Sequence, residues 1–227
     1  MESSYKKDSL DNINSYDKEA EASNWFGPEI VFGLSYKYIQ AGEKIIDIGI
    51  GTGLCSVHYH RAGLRISGID ISDEMIDVSR KKMPDAQLIK HDLLIEPYPF
   101  ETESMNHAVC TGVMHFFKDL NNIFREVSRI LRPDGIFGFV TADLKPGEEN
   151  EIKVGPEHTG SGFPVIMYRH GENRIEEMAE EYGFIMQRDF EFPVFMDSNK
   201  ERKFTAKAYI IKKMNSQLNY RNFPGIS

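Results

Sequence analysis

Cys55 and Cys110 are the only cysteines in the chain. Two thiols cannot build a disulfide framework or a four-cysteine zinc site, so the chain reads as a reduced protein whose expected compartment is the cytoplasm. A Lys/Arg-rich run is also missing: 27 basic residues against 35 acidic ones leave a formal net charge of −8. Such a surface offers little to a polyphosphate backbone, and a nucleic-acid partner is not expected. No apolar stretch approaches membrane-spanning length, and the N-terminus "MESSYKKDSLDNINSYDKEAE" has no signal-like core, so no membrane association is expected. His58 and His60 stand two apart, on different faces of a helix, and cannot grip a metal as an i, i+4 pair would; no metal site is expected. Internal repeats are lacking as well.

What is present is an ordinary globular balance, 41% hydrophobic and 27% charged over 227 residues, which suits one α/β domain with extra segments. Residues 1–41 read as an N-terminal helical cap, with Trp25, Phe26, Ile30, Val31, Leu34 and Tyr38 at helical spacing. From residue 42 to 214 short apolar runs alternate with helical patterns: "KIIDI", a helix over Leu54–Ala62, "RISGI", a helix opening near Ser72–Asp73, then "AQLIK". The alternation continues with "NHAVC", a helix over Leu120–Leu131, "GIFGFVTA" and a helix over Asn173–Tyr182. This pattern predicts a mainly parallel sheet with helices on both faces. The last two strands, "FIMQRDFEF" and "KFTAKAYIIKK", are too close in sequence for a helical crossover and should pair antiparallel. Residues 143–171, rich in Gly, Pro and charge, read as an irregular cover, and 215–227 as a tail.

The informative stretch is "KIIDIGIGTGL", Lys44 to Leu54, where an apolar run ends in an acid and Gly49, Gly51 and Gly53 follow. Glycine there removes the Cβ atoms that would hold a ligand off the backbone, just before a helix start. A dinucleotide loop needs G-x-G-x-x-G; here Leu54 occupies the third glycine position, which disfavours a nucleotide-dependent oxidoreductase. Asp47 would repel a pyrophosphate but suits an ammonium group, so the ligand should be cationic at one end and a nucleoside at the other. S-adenosylmethionine fits. Asp70, ending "SGID", is placed to take ribose hydroxyls, and Asp92, ending "IKHD", the adenine amino group, with Ile71 and Leu93 flanking the ring. Each acid also has a plainer reading: Asp47 as a brace for the loop amides, Asp70 as an exposed strand end, Asp92 as part of a solvated turn.

"IIDIGIGTG", "GIDIS", "HDL" and "REVSRILRPDGIF" together resemble the class I S-adenosylmethionine-dependent methyltransferases, in particular the small-molecule branch with the type 11/12 domain, over roughly Gly42 to Thr141. The resemblance implies a Rossmann-like, doubly wound α/β fold with a seven-stranded sheet in the order 3-2-1-4-5-7-6, strand 7 antiparallel. It implies methyl transfer from S-adenosyl-L-methionine, leaving S-adenosyl-L-homocysteine, to an O, N or S atom of a small-molecule acceptor. Asp47 and Gly49 would hold the methionine end, Asp70 the ribose and Asp92 the adenine. Tyr16, in "YDKEAE", looks like the family's N-terminal Tyr-Asp element, whose tyrosine approaches the cofactor; packing is its other reading. A domain that binds the cofactor without transferring a methyl has the same motifs and is the alternative.

The segment after the fourth strand reads "TGVMHFF", not the Asn/Asp-Pro-Pro-aromatic sequence of resembling amide- and base-nitrogen methylating enzymes. Thr111 joins the expected cofactor-binding residues. His115 is the candidate catalytic residue, as a general base or as a histidine packed over the cofactor. His158, Tyr168, Arg169 and His170 lie in or just after the cover and face the acceptor or solvent. Two cysteines are too few to copy arsenic-methylating relatives.

Overall fold

Ile-rich runs bounded by glycine turns give strands that bury both faces, and polar-apolar segments between them give helices. A computed structural model describes residues 16–18, 20–22, 24–154, 165–195 and 203–215. Helix α1 (Gly27–Ser35) precedes β1 (Lys44–Ile48), α2 (Ser56–Arg61), β2 (Arg65–Asp70), α3 (Asp73–Lys82) and β3 (Gln87–Lys90). Then follow β4 (Met105–Cys110), a 3₁₀ turn at Met114–Phe116, α4 (Asn121–Ile130) and β5 (Leu131–Asp143). The chain continues through β6 (Glu151–Val154), β7 (Val165–His170), α5 (Glu172–Glu181), β8 (Phe184–Phe195) and β9 (Lys203–Lys213). Residues 16–18 and 20–22 are helical as well.

The expected sheet is present. Strands β3, β2, β1, β4 and β5 run parallel, with β1 between β2 (Lys44↔Arg65) and β4 (Ile45↔His107). On the far side of β5, β9 is antiparallel (Gly138↔Ile210) and β8 pairs antiparallel with β9 (Phe190↔Ala208), completing the order 3-2-1-4-5-9-8. The central strand β1 is buried from Ile45 to Ile48, as a strand covered on both faces must be. One face packs Ile46, Phe124, Val127, Phe137 and Ile175 against α4 and α5; the other packs Val31, Ile45, Tyr59, Ile66 and Ile210 against α1 and α2.

Ser72 caps α3, its hydroxyl accepting from the Met75 amide at 3.2 Å, with Asp73 and Glu74 in the first turn as the sequence suggests. The segment "LRPDG" is not a separate turn but the irregular start of β5: the register with β4 shifts there, Asp134 has φ 67°, and a Cβ on Gly135 would collide with the Asn106 carbonyl.

The cover is not irregular throughout. Residues 151–154 and 165–170 form an antiparallel pair, Glu151↔Tyr168 to Val154↔Val165. "VIMYRH" has the β-branched and aromatic content of a strand, which the Gly- and Pro-rich residues before it obscure in the sequence. Beyond the end of β4, β7 takes over the same edge of β5, pairing Ala142↔Arg169 and Asp143↔His170. The hairpin therefore stands above the carboxyl end of β4. His158 and residues 216–227 lie outside the described residues.

Candidate active site

The chain runs outward from β1 in one direction to β2 and β3 and in the other to β4 and β5. Ligands of such sheets bind where the order reverses, at the carboxyl ends of the strands. Asp47, the glycine loop, Asp70, Asp92 and Thr111 all fall on that edge.

The three glycines differ in what their missing side chains accomplish. All have positive φ, 74° at Gly49, 53° at Gly51 and 81° at Gly53. A Cβ at Gly49 would collide with Val113, and one at Gly53 would stand 2.8 Å from both Met83 Cε and Ser79 Oγ, so these two let protein segments close on one another. A Cβ at Gly51 would meet nothing within 4 Å among the described residues. Gly51 is thus where the loop leaves its outer side clear. The loop is pinned by Gly49 and Ile50 amides donating to the Ile69 carbonyl at 2.8 and 3.0 Å. Helix α2 starts only at Ser56, two residues later than the sequence pattern suggests.

Asp47 is 2% exposed; its Oδ2 accepts from the Ser56 hydroxyl at 2.7 Å. Its Oδ1 is buried with no hydrogen-bond partner among the described residues. Burial raises the Asp47 pKa to about 7, the Ser56 bond opposing and the Asp70 charge adding to the rise. The loop-bracing reading fails for Oδ1: a buried carboxylate oxygen without a donor is costly unless a cation or a proton occupies it. That is the property an ammonium-bearing ligand requires, and the residues present fit such a group.

Asp70 is half-buried at the end of β2; Oδ2 accepts from the Gly51 amide at 2.8 Å and Oδ1 from the Ser72 amide at 3.0 Å. One carboxylate thereby fixes both the loop and the start of α3, and each oxygen retains a lone pair for a hydroxyl. Ile71 beside it is 63% exposed, whereas Leu93 is buried at 7%. Asp92 Oδ1 accepts from the Leu94 amide at 2.9 Å, a local turn bond. A cavity of about 120 Å³ is lined by Leu93, Leu94, Phe117, Asp119, Asn122 and Ile123. Tyr16 is 39% exposed overall, yet desolvation of its phenol, followed by the charges of Asp17 and Asp70, raises its pKa. Thr111 is hydrogen-bonded with the Cys55 thiol, and burial holds Cys55 and Cys110 protonated.

Across β4 from the glycine loop, His115 sits half-buried on the 3₁₀ turn, its ring against Phe116 with centroids 4.2 Å apart. Burial and the neighbouring His170 push its pKa down to about 4. His170, buried on β7, reaches the Met114 carbonyl at 3.4 Å and connects the hairpin to this turn. Tyr168 stands 6.0 Å from the Lys118 ammonium. Arg169 is turned away, donating to the Glu149 carbonyl at 2.7 Å. His58 and His60 face Glu29 and Asp85 on the surface.

Ser56, Thr52 and Lys82 were not singled out in the sequence, and Asp17 stood there only as the second residue of the Tyr-Asp element. Ser56 could have been found from its place nine residues after a buried acid on a turn-helix unit.

A family model described as a methyltransferase domain matches residues 46–139. The chain is 30% identical over 163 residues to an uncharacterized methyltransferase of Schizosaccharomyces pombe, covering 63% of this chain and 57% of that protein. It is 31% identical over 163 residues to the malonyl-[acyl-carrier protein] O-methyltransferase of Serratia marcescens, covering 68% and 60%. The chain thus spans less than two thirds of the length of these two relatives. A solved structure of a SAM-dependent methyltransferase from Methanosarcina mazei shares the fold, with a TM-score of 0.67 at 20% identity over 79% of this chain and 96% of that one. Residues 46–139 thus match a methyltransferase domain, and the chain shares its fold with a solved SAM-dependent methyltransferase.

Proposed function

We propose that the chain transfers a methyl group from S-adenosyl-L-methionine to an oxygen, nitrogen or sulfur atom of a small-molecule acceptor. The observation that carries this reading is Asp47 Oδ1, buried with no hydrogen-bond partner among the described residues, at the end of the strand that leads into the loop with its cleared Gly51. We assign Asp47 to the ammonium, with Gly49, Gly51 and Gly53 shaping the loop and Thr111 flanking it. Asp70 takes the ribose hydroxyls under Tyr16, and Asp92 the adenine amino group, with Ile71 and Leu93 against the ring. When bound, the cofactor supplies a methyl group already activated on a sulfonium.

What remains for the chain is alignment and exclusion of water. Orientation of this kind contributes on the order of 7–11 kcal/mol to lowering a barrier. The acceptor side is bounded by the Thr111–Phe117 segment, the β6–β7 hairpin and the residues around Trp25. His115, kept neutral by its surroundings, is there a hydrogen-bonding wall rather than a proton acceptor. Transfer to an oxygen atom is supported by the Serratia relative, named as an O-methyltransferase of malonyl-[acyl-carrier protein]. The net charge of −8 argues against a nucleic-acid acceptor. We take residues 42–214 as the catalytic domain and 1–41 as its cap, and the free thiols of Cys55 and Cys110 support a cytoplasmic setting.

The test is a calorimetric titration with S-adenosyl-L-homocysteine, then transfer of labelled methyl across hydroxyl, carboxyl, thiol and amine acceptors. Binding followed by labelled product is the expected result. Binding without product from any acceptor turns the reading into a cofactor-binding domain, and no binding refutes it.

A further inference from the structure

We infer that Asp17 is a positioning residue for the nucleoside ligand: it ties the N-terminal residues to the glycine loop and thereby holds Tyr16 beside Asp70. The inference rests on the cofactor assignment above and concerns residues that assignment does not use. The two oxygens of Asp17 hold two different elements. Oδ1 accepts from the Thr52 hydroxyl at 2.6 Å, and Oδ2 accepts from the Lys82 ammonium. Thr52 lies inside the loop between Gly51 and Gly53, its side chain buried. Lys82 ends α3, the helix that starts just after Asp70.

These contacts surround one carboxylate. Asp70 holds the loop through the Gly51 amide and the start of α3 through the Ser72 amide. Asp17 holds the same loop one residue further on and the same helix at its other end. Because Tyr16 precedes Asp17, fixing one fixes the other, and the Tyr16 phenol lies within the field of both carboxylates. Downstream, the Trp25 amide donates to the Ala20 carbonyl at 2.9 Å, and the Trp25 ring stands over Gly112, whose Cβ would come 3.7 Å from it. The stretch that carries Tyr16 is therefore fastened both to the glycine loop and beside the loop after β4.

An exposed ion pair contributes little. The Asp17 and Lys82 side chains are 33% and 27% exposed, and Asp17 takes a hydroxyl as well as an ammonium, which places the contact in the stronger, charge-assisted class. The sheet does not need it, since neither core cluster includes residues 16–18. Its effect falls on the ligand: a nucleoside held between Gly51 and Tyr16 leaves only when Asp17 lets go.

The experiment uses the full chain, S-adenosyl-L-homocysteine as probe and the single tryptophan, Trp25, as fluorescent reporter. Asp17→Ala and Lys82→Met should each release the probe on the order of tenfold faster, the scale of a lost charge-assisted bond. Melting temperature should stay within about 2 °C of wild type. The reversed pair, Asp17→Lys with Lys82→Asp, should restore most of the slow release. In ligand-free chain, hydrogen exchange at residues 16–18 and Thr52 should rise in Asp17→Ala while β1 is unchanged. Wild-type release rates in both single variants overturn the inference and leave the cofactor assignment standing. Accelerated release accompanied by a matching loss of melting temperature also overturns it, as does failure of wild type to bind the probe, which sinks the cofactor assignment too.

Discussion

The Ser56 hydroxyl donates to Asp47 Oδ2 at 2.7 Å, while Oδ1 of the same carboxylate is buried with no partner among the described residues. With a pKa raised to about 7, chiefly by burial, Asp47 is half ionised near neutrality. A ligand cation favours the ionised form, so below pH 7 binding must first remove a proton. Affinity for S-adenosyl-L-homocysteine should fall as pH drops through 7, approaching tenfold per pH unit, and level off above about 8. Calorimetry from about pH 5.5 to 8.5 checks this. Asp47→Asn should bind weakly and lose the slope; a flat wild-type profile contradicts the ammonium role.

Asp70→Ala removes acceptors for the ribose and also strands the Gly51 amide. Binding should weaken on the order of 10- to 100-fold, the scale of one or two hydrogen bonds to a charged group. Asp70→Asn keeps an acceptor for Gly51 or Ser72 and should lose less. Wild-type affinity in Asp70→Ala, by calorimetry, removes Asp70 from the ribose site.

Asp47 and Asp70 were legible because a carboxylate at a strand end beside a glycine loop is a local pattern, visible within 30 residues of sequence. The strand–helix alternation predicts a mainly parallel sheet through right-handed crossovers, whereas the strand order came from the resemblance carried by the motifs. Asp17 was not, because its meaning depends on Thr52 and Lys82, 35 and 65 residues away. The β6–β7 pair was hidden by composition, since glycine and proline dominate the residues between its strands. The lowered pKa of His115 was not legible, because it comes first from burial in the fold and then from His170, which arrives on β7 from 55 positions further along.

Gly51 and Gly53 should separate binding from folding. Gly53→Ala drives a methyl to 2.8 Å from Ser79 and Met83 in a left-handed conformation, so it should lower the melting temperature by several degrees. Gly51→Ala bears similar backbone strain, about 1 kcal/mol, but meets no neighbour within 4 Å among the described residues. It should therefore fold nearly as well while binding the cofactor much less tightly. Paired thermal melts and titrations decide: equal affinity losses at equal stability in the two variants would mean that Gly51 is a turn residue and no more.

His115 carries the last expectation. A general base works best with a pKa near the operating pH, and removing one costs a factor of 10²–10⁴. At about 4, His115 is a poor base, because burial and His170 both disfavour its cation. His115→Gln, which keeps hydrogen-bonding capacity, should hold turnover within about threefold, with no inflection near pH 6.5 lost from the rate profile. The sign of its stability effect follows from the same shift. The folded pKa lies below the unfolded value of about 6.5, so the unfolded chain binds more protons, and stability falls as pH drops from 6.5 through 4. The Gln variant lacks that proton uptake and should lose less stability than wild type between pH 7 and 5 in denaturant titrations. A hundredfold drop in turnover together with an unchanged acid slope would instead make His115 the proton acceptor, with its pKa set by the acceptor rather than by the fold.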